Sequence, residues 1–527
     1  MGKKIKAALS LVIASTTLLA ACSTDNKAKT EGSKAPDGPV SFTIALGANK
    51  NKVAMNSGDI NNEKYILELG KLTNTKLTLK VLQDESYREA MGVMFASGDI
   101  PDVIHVQQGM LPLDPSMGGA VEAGVFKPLN DLLAKHGPNL MKLIPKDAWD
   151  EVSIDGKIYA IPQYLSNPSR RAMVVRTDLL EKYDINKPKT VEDFMQMLRT
   201  LKAKGHSVPF GARTDFAYSQ AIFGAYDVMF GNNMFEKQGD QIVPKFMDVE
   251  NMTKALTVWK TMQDEGLVAP DWASHGAAER GKNIDSGKTA VWEINANSVL
   301  SDEERLKKII PEAKLDVIAS PVGPDGKGGN MLYSKTLRLS YLSAKLDDAK
   351  AGKIIEFFDW MLTEKGKEFL TFGIEGQTYT KDASGKIEYK EPKTEEEINQ
   401  QSFLSGWVKL VGDMSYDETL LKTKANGQKV LDAMAIVNKE GREGISFIKP
   451  LEAYSVDPDI TPGFDKAPKV IGDALIQMIY GKRPISDYPK VLEEWKKKGG
   501  DKVIKEATES WNKKKNIFRV GPDANVK

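Results

Sequence analysis

The stretch Val40-Ser-Phe-Thr-Ile-Ala-Leu46 alternates as a strand and runs into a loop from Gly47 to Asp59. Over residues 61–73, Tyr65, Ile66, Leu69 and Leu72 share one helical face, and Leu77-Thr-Leu-Lys-Val-Leu82 is a second strand. A further helix from Ser86 to Phe95 passes through Ser97-Gly-Asp-Ile-Pro-Asp102 into Val103-Ile-His-Val106. Repeated strand-helix-strand units predict an α/β fold with a mainly parallel sheet covered by helices on both faces. Ligands of such sheets sit beyond the carboxyl ends of the strands, here the Gly47, Gln83-Asp84 and Gln107-Gln108-Gly109 loops.

The same grammar continues downstream. Arg171–Arg176, Val208–Gly211, Thr289–Ile294 and Leu315–Ala319 read as strands; Val191–Ala203 and Met252–Glu265 read as helices. One long amphipathic helix is expected over Ala349–Leu370 and a charged one over Tyr488–Asn512. Two segments rich in Gly or Pro, Tyr159–Gln163 and Ser320–Gly329, read as crossings between two lobes, the second equally as a surface hairpin. The expected division is 40–163 plus 331–380 for lobe I and 164–330 plus 381–527 for lobe II.

At 527 residues, 41% of them hydrophobic, the chain can bury more than one core. Its 73 basic and 72 acidic side chains leave a net charge of +1, no surplus for neutralising phosphates, so no nucleic-acid partner is expected. The single cysteine, Cys22, excludes a disulfide framework and cysteine-rich metal sites, and no two of the four histidines stand at HExxH spacing.

The basic start Met1-Gly-Lys-Lys-Ile-Lys6, the interrupted apolar run Ala7–Ala21 and then Cys22 form a signal peptide over residues 1–21. The run falls short of the roughly 20 residues of a spanning helix. Leu19-Ala-Ala-Cys22 resembles a bacterial lipobox, which implies a diacylglycerol on Cys22 and a chain anchored on the outer face of the cell membrane. Residues 22–39 lack any large apolar side chain and read as a flexible tether.

Catalytic motifs are wanting. Gly281-Lys-Asn-Ile-Asp-Ser-Gly-Lys-Thr289 ends like a phosphate loop but spaces its glycines one residue too far apart, and GxSxG is absent. A glycosidase pair of carboxylates stays open, since it needs only two acids at a set separation.

Five blocks in order carry a resemblance: Ser97-Gly-Asp-Ile-Pro-Asp-Val-Ile104, Gly124-Val-Phe-Lys-Pro-Leu-Asn130, Asp155-Gly-Lys-Ile-Tyr-Ala-Ile-Pro162, Gly373-Ile-Glu-Gly-Gln-Thr-Tyr379 and Gly481-Lys-Arg-Pro-Ile-Ser486. Together they resemble the extracellular solute-binding lipoproteins of bacterial ABC importers, in particular the large oligosaccharide and aldouronate branch. The resemblance implies a two-lobed periplasmic-binding-protein-like fold. It implies a monomer without catalytic residues or a required cofactor, which captures an oligosaccharide, with uronate units among the candidates, and delivers it to the permease subunits of an ABC transporter. Asp99, Asp102 and Asp155 read as scaffold. A secreted enzyme on polysaccharide and a receptor for a peptide or another non-sugar solute are the alternatives.

Sugar faces call for aromatic platforms and planar polar side chains. Loop or strand-end position selects Trp272 and Trp292 among the tryptophans. Tyr164 and Arg170 flank the first crossing, and Glu375 and Tyr379 fall in the block resembling the family's cleft loop. Arg170 or Arg171 suits a uronate carboxylate, and equally a surface ion pair.

Asp184, Asn186, the Pro188 carbonyl, Glu192 and Asp193 have the spacing of a calcium loop leading into a helix. The loop resembles the structural calcium site of alginate-binding relatives. The same residues also read as a capping box, with Thr190 as N-cap and Asp193 three residues on. Lys187 and Lys189 weigh against the metal.

Overall fold

A computed structural model describes residues 38–107 and 119–521. The signal peptide, Cys22 and nearly all of the tether lie outside the described residues, as do Gln108 and Gly109. Among the described residues no helix is long and apolar enough to cross a membrane.

The strand Val40–Gly47 lies between parallel neighbours, Thr75–Leu82 on one side and Val103–Gln107 on the other. Phe42, Ile44, Ala45 and Leu46 are buried, because helices cover both faces of this strand. Asp102 fastens the arrangement: its carboxylate accepts the Thr43 N–H (2.9 Å) and pairs with Lys350 (3.0 Å), the scaffold role expected for it. The helix Lys64–Thr73 buries Tyr65, Ile66 and Leu69, but Leu72 is 41% exposed, since Asn74 turns left-handed and ends the helix there.

The first sheet has six strands in the order Gly412–Asp413, Ala160–Tyr164, Thr336–Leu342, Val103–Gln107, Val40–Gly47, Thr75–Leu82. The second has four, Leu315–Ile318, Arg171–Arg176, Val291–Asn295 and Phe210–Gly211. Each encloses its own core, one built on Phe42, Phe126, Phe358 and Trp407, the other on Phe194, Phe223, Trp259 and Trp495, so the two-lobed α/β fold holds.

The expectation of mainly parallel sheets holds in the first sheet, where three of five pairings are parallel, and needs correction in the second. In each sheet one strand runs against its neighbours: Thr336–Leu342 in the first, Arg171–Arg176 in the second, where the antiparallel pairings outnumber the parallel one. The cause is connectivity. Both strands begin where the chain arrives from the other lobe, beside the carboxyl ends of their neighbours. Thus Arg338 lies opposite Gln107, and Arg171 opposite Asn295. A third sheet, antiparallel, joins Phe235–Gln238, Gln241–Pro244, Gly444–Ser446 and Phe518–Val520.

The crossings also shift. Tyr159–Gln163 is mostly strand, and the chain crosses after it, through residues 165–170. Ser320–Gly329 stays within the second lobe: Val322 N–H donates to the Lys189 carbonyl (2.9 Å), and Arg442 grips Asp325 at 2.6 and 3.1 Å. A Cβ on Gly323 or Gly224 would overlap backbone across this contact. The return crossing is residues 331–335, bonded to the first through Leu165 N–H to Lys335 O (2.8 Å) and Tyr333 N–H to Pro168 O (3.0 Å). Residues 381–413 belong with the first lobe rather than the second, because Phe403, Leu404, Trp407 and Val411 enter its core and Gly412–Asp413 completes its sheet. The third passage follows residue 413, with Val430, Met434 and Val437 packed on the second sheet.

The long helix expected over Ala349–Leu370 is two, Asp348–Trp360 and Glu364–Phe372, divided by the N-cap Thr363. The charged tail is likewise two helices, Tyr488–Trp495 and Asp501–Lys513, which bury Leu492, Trp495, Val503 and Ile504.

Candidate functional site

The strand directions bring a set of arginines to the carboxyl-end edges of both sheets. On the first, Arg338 donates to the Gly406 carbonyl (2.9 Å) and lies 3.4 Å from Gln163 Oε1. Burial holds its guanidinium down to about 10, with the charge of Arg170 adding to the effect. Arg170 and Arg171 end the first crossing, and burial lowers Arg170 as well. For Arg171 burial is outweighed by Tyr333, Tyr218 and Asp465, so its guanidinium is held above its ordinary value.

Arg171 is the hub. Its guanidinium pairs with Asp465 (2.8 Å), donates to the Asn295 side chain and lies 3.6 Å from the centre of the Tyr218 ring. Arg213 and Arg280 approach the same ring at 5.2 and 5.6 Å, within cation–π range. Tyr218 is delivered by a loop in which Asp215, Phe216 and Tyr218 all take positive φ, between 54° and 56°. Left-handed backbone at non-glycine residues is uncommon and clusters at ligand sites. The loop is held by Arg213 N–H to Ser219 Oγ (3.1 Å), Thr214 N–H to the His275 carbonyl (2.9 Å) and the Lys466–Asp215 pair (2.8 Å).

A cavity of about 390 Å³ opens beside this ring at the end of the strand Val291–Asn295, bordered by Arg213, Tyr218, Arg280, Asn295, Asp302 and Arg305. Arg280 donates to the Glu293 carbonyl (3.0 Å), while the fully buried Glu293 carboxyl turns to the Ala221 N–H (2.8 Å). Burial pushes that carboxyl above its ordinary range, although its backbone donors pull it down. Burial, and then Arg213, bring Arg280 down to about 10. A second cavity, about 230 Å³, lies in the first lobe against Tyr164, Lys409, Asp413 and Tyr416.

Of the expected site residues, Arg170 joins the arginine set, whereas Tyr164 borders the second cavity and donates to the Leu143 carbonyl (3.3 Å). Trp292 touches the first cavity but is only 1% exposed, its bulk in the core beneath the second sheet. Trp272 is fully buried among Phe216, Trp259 and Tyr480 and donates to Gln263 (2.9 Å), so it is core and no sugar platform. Tyr379 packs with Phe372 and Tyr389, donates its hydroxyl to Glu368, and with Glu375 stays away from both cavities. Trp149 and Trp407 are also core. Tyr218, Arg213 and Arg280 carried no signal in the sequence beyond their residue type.

The calcium loop does not assemble. Asp184 is the left-handed cap of the preceding helix, Glu192 pairs with Arg199 (3.3 Å), and Asp193 accepts the Lys189 and Thr190 N–H groups (3.2 and 3.0 Å). Thr190 Oγ1 accepts the Asp193 N–H in return, completing the capping box, and Asn186 and Pro188 bring no further acid. Among the described residues no three His, Cys, Asp or Glu side chains are grouped to hold a metal. The residues present do not fit a calcium ion.

Residues 61–368 match the family profile described as bacterial extracellular solute-binding protein. The chain belongs to this family. The solute-binding protein is 26% identical to the polygalacturonan/rhamnogalacturonan-binding protein YtcQ of Bacillus subtilis (strain 168), across 98% of its own length and 100% of that relative. It is also 26% identical to the fructooligosaccharide ABC transporter substrate-binding protein FusA of Streptococcus pneumoniae serotype 4, over 60% of this chain and 61% of that one. In fold it is similar to the alginate-binding protein AlgQ2 without calcium ion, with a TM-score of 0.63, 18% identity, and 92% and 100% of the two chains covered. FusA in complex with kestose gives a TM-score of 0.64 at 14% identity, covering 90% and 99%.

Proposed function

We propose that this solute-binding protein is the lipid-anchored receptor of an ABC importer and captures an oligosaccharide between its two sheets for delivery to the membrane permease. What carries the reading is the surface shared by both lobes at the crossings. There Arg338, Arg170, Arg171, Asn295 and Tyr218 gather planar polar groups and an aromatic ring at the strand ends where α/β proteins hold their ligands. The names of its relatives point the same way.

Ligand contacts made by both lobes at once stabilise the closed arrangement, so closure is a population shift driven by the sugar. Catalysis is not part of this reading. A glycosidase needs two facing carboxylates, and among the described residues the only carboxylate bordering the arginine-lined cavity is Asp302, which lies 3.8 Å from Arg305. A diacylglycerol on Cys22 would keep the receptor, as a monomer, on the outer face of the membrane.

Fractionation of cells tests the anchor: the wild-type chain stays with membranes and Cys22→Ala is released to the medium. A thermal-shift screen with oligosaccharides tests the capture, with a rise in melting temperature expected for at least one sugar. Release of shortened sugar would overturn the receptor reading.

A further inference from the structure

The arginine-lined cavity is out of balance in charge. Arg305 has two acids near it, Asp285 and Asp302. Arg213 and Arg280 make no ion pair with a carboxylate among the described residues, and the charges of Glu293 and Asp302 act on Arg280 less strongly than that of Arg213. The Nε–H of each is buried without a hydrogen-bond partner, although both residues border open space. A buried donor left unpaired carries its full desolvation penalty, and two converging guanidiniums add mutual repulsion.

A neutral sugar relieves only the first, since its hydroxyls accept hydrogen bonds but bring no charge. A carboxylate relieves both, taking a two-pronged grip from a guanidinium while cancelling a charge. The cavity volume of about 390 Å³ lies within the roughly 300–1,000 Å³ usual for small-ligand sites. The Tyr218 ring and the Asn295 carboxamide stand at its edge for the apolar face and hydroxyls of the same sugar unit.

We propose that this cavity is a carboxylate subsite, with Arg213 and Arg280 as its specificity-determining residues, and that the ligand is an acidic oligosaccharide built from uronate units. This rests on the oligosaccharide-receptor reading above. The subsite accepts one uronate carboxylate between the two guanidiniums, and the chain of sugars continues over Tyr218 toward Arg170 and Arg338.

The test is calorimetric titration of the purified chain with oligogalacturonates, oligoalginates and glucuronoxylo-oligosaccharides, each beside its carboxyl methyl ester, and with neutral oligosaccharides of equal length. The expected result is saturable binding of at least one acid and at least tenfold weaker binding of its ester. Arg213→Gln and Arg280→Gln, made separately and checked for an unchanged melting profile, should each weaken the acid at least tenfold and bring acid and ester closer together. Esters or neutral sugars binding within twofold of the acids, in a protein that does bind sugar, would overturn the subsite while leaving the receptor reading in place. Binding of no saccharide at all would overturn both.

Discussion

The guanidinium of Arg171 lies 3.6 Å from the centre of the Tyr218 ring, joining the first residue of a strand that has just crossed between lobes to a loop held in left-handed backbone. The contact makes Tyr218 a fixed wall of the site. Holding φ near +54° costs a tyrosine roughly 1–2 kcal/mol that a glycine would not incur. Tyr218→Gly should therefore lose at least tenfold in sugar affinity while its urea midpoint changes little, the relieved strain offsetting the lost cation–π contacts. Titration and urea unfolding on one sample check both halves.

Trp272 provides the opposite case. Truncating a fully buried tryptophan to alanine costs about 3–5 kcal/mol, and Trp272→Ala should show that loss in urea unfolding. The fraction that remains folded should bind sugar with unchanged affinity, because the ring touches neither cavity.

At the start of the helix Val191–Ala203, Thr190→Ala removes the side-chain acceptor for the Asp193 N–H and should lower stability by about 1 kcal/mol. Calcium and EDTA should both leave the melting temperature of the wild-type chain where it is.

The Glu440 carboxyl is pushed up to about 7, chiefly by burial and further by the neighbouring Glu293, against the pull of the Ser320 N–H and hydroxyl. Its folded pKa is above its unfolded value, so its stabilising contribution is complete below about pH 4.5 and fades as pH rises to about 7. Relative to Glu440→Gln, the wild-type chain should lose stability across that window, as urea midpoints at pH 4.5, 6 and 7.5 would reveal.

The opening strand was legible because Phe42, Ile44 and Leu46 are fixed by local alternation, and Asp102 reads as scaffold from its turn alone. Strand direction was not, since it depends on where a crossing delivers the chain. The tryptophans misled for a related reason. A strand-end position places Trp292 near the site but does not say which face of the sheet it occupies, and the irregular segment around Trp272 folds over the core instead of away from it. The division placed everything after residue 380 in the second lobe, yet the apolar side chains of residues 403–411 bring the chain back to the first. Tyr218, Arg213 and Arg280 meet only through tertiary structure, the first two from one irregular loop and the third from the separate helix Ala277–Asp285.

Capture of sugar without cleavage is tested most directly by titration of the purified chain with uronate oligosaccharides, followed by recovery and chromatography of the sugar. Binding should be saturable and one-to-one, lost in the Tyr218→Ala variant, and the sugar should be recovered at its original length. Shortened sugar, or heats that never saturate for any oligosaccharide, would contradict capture without cleavage.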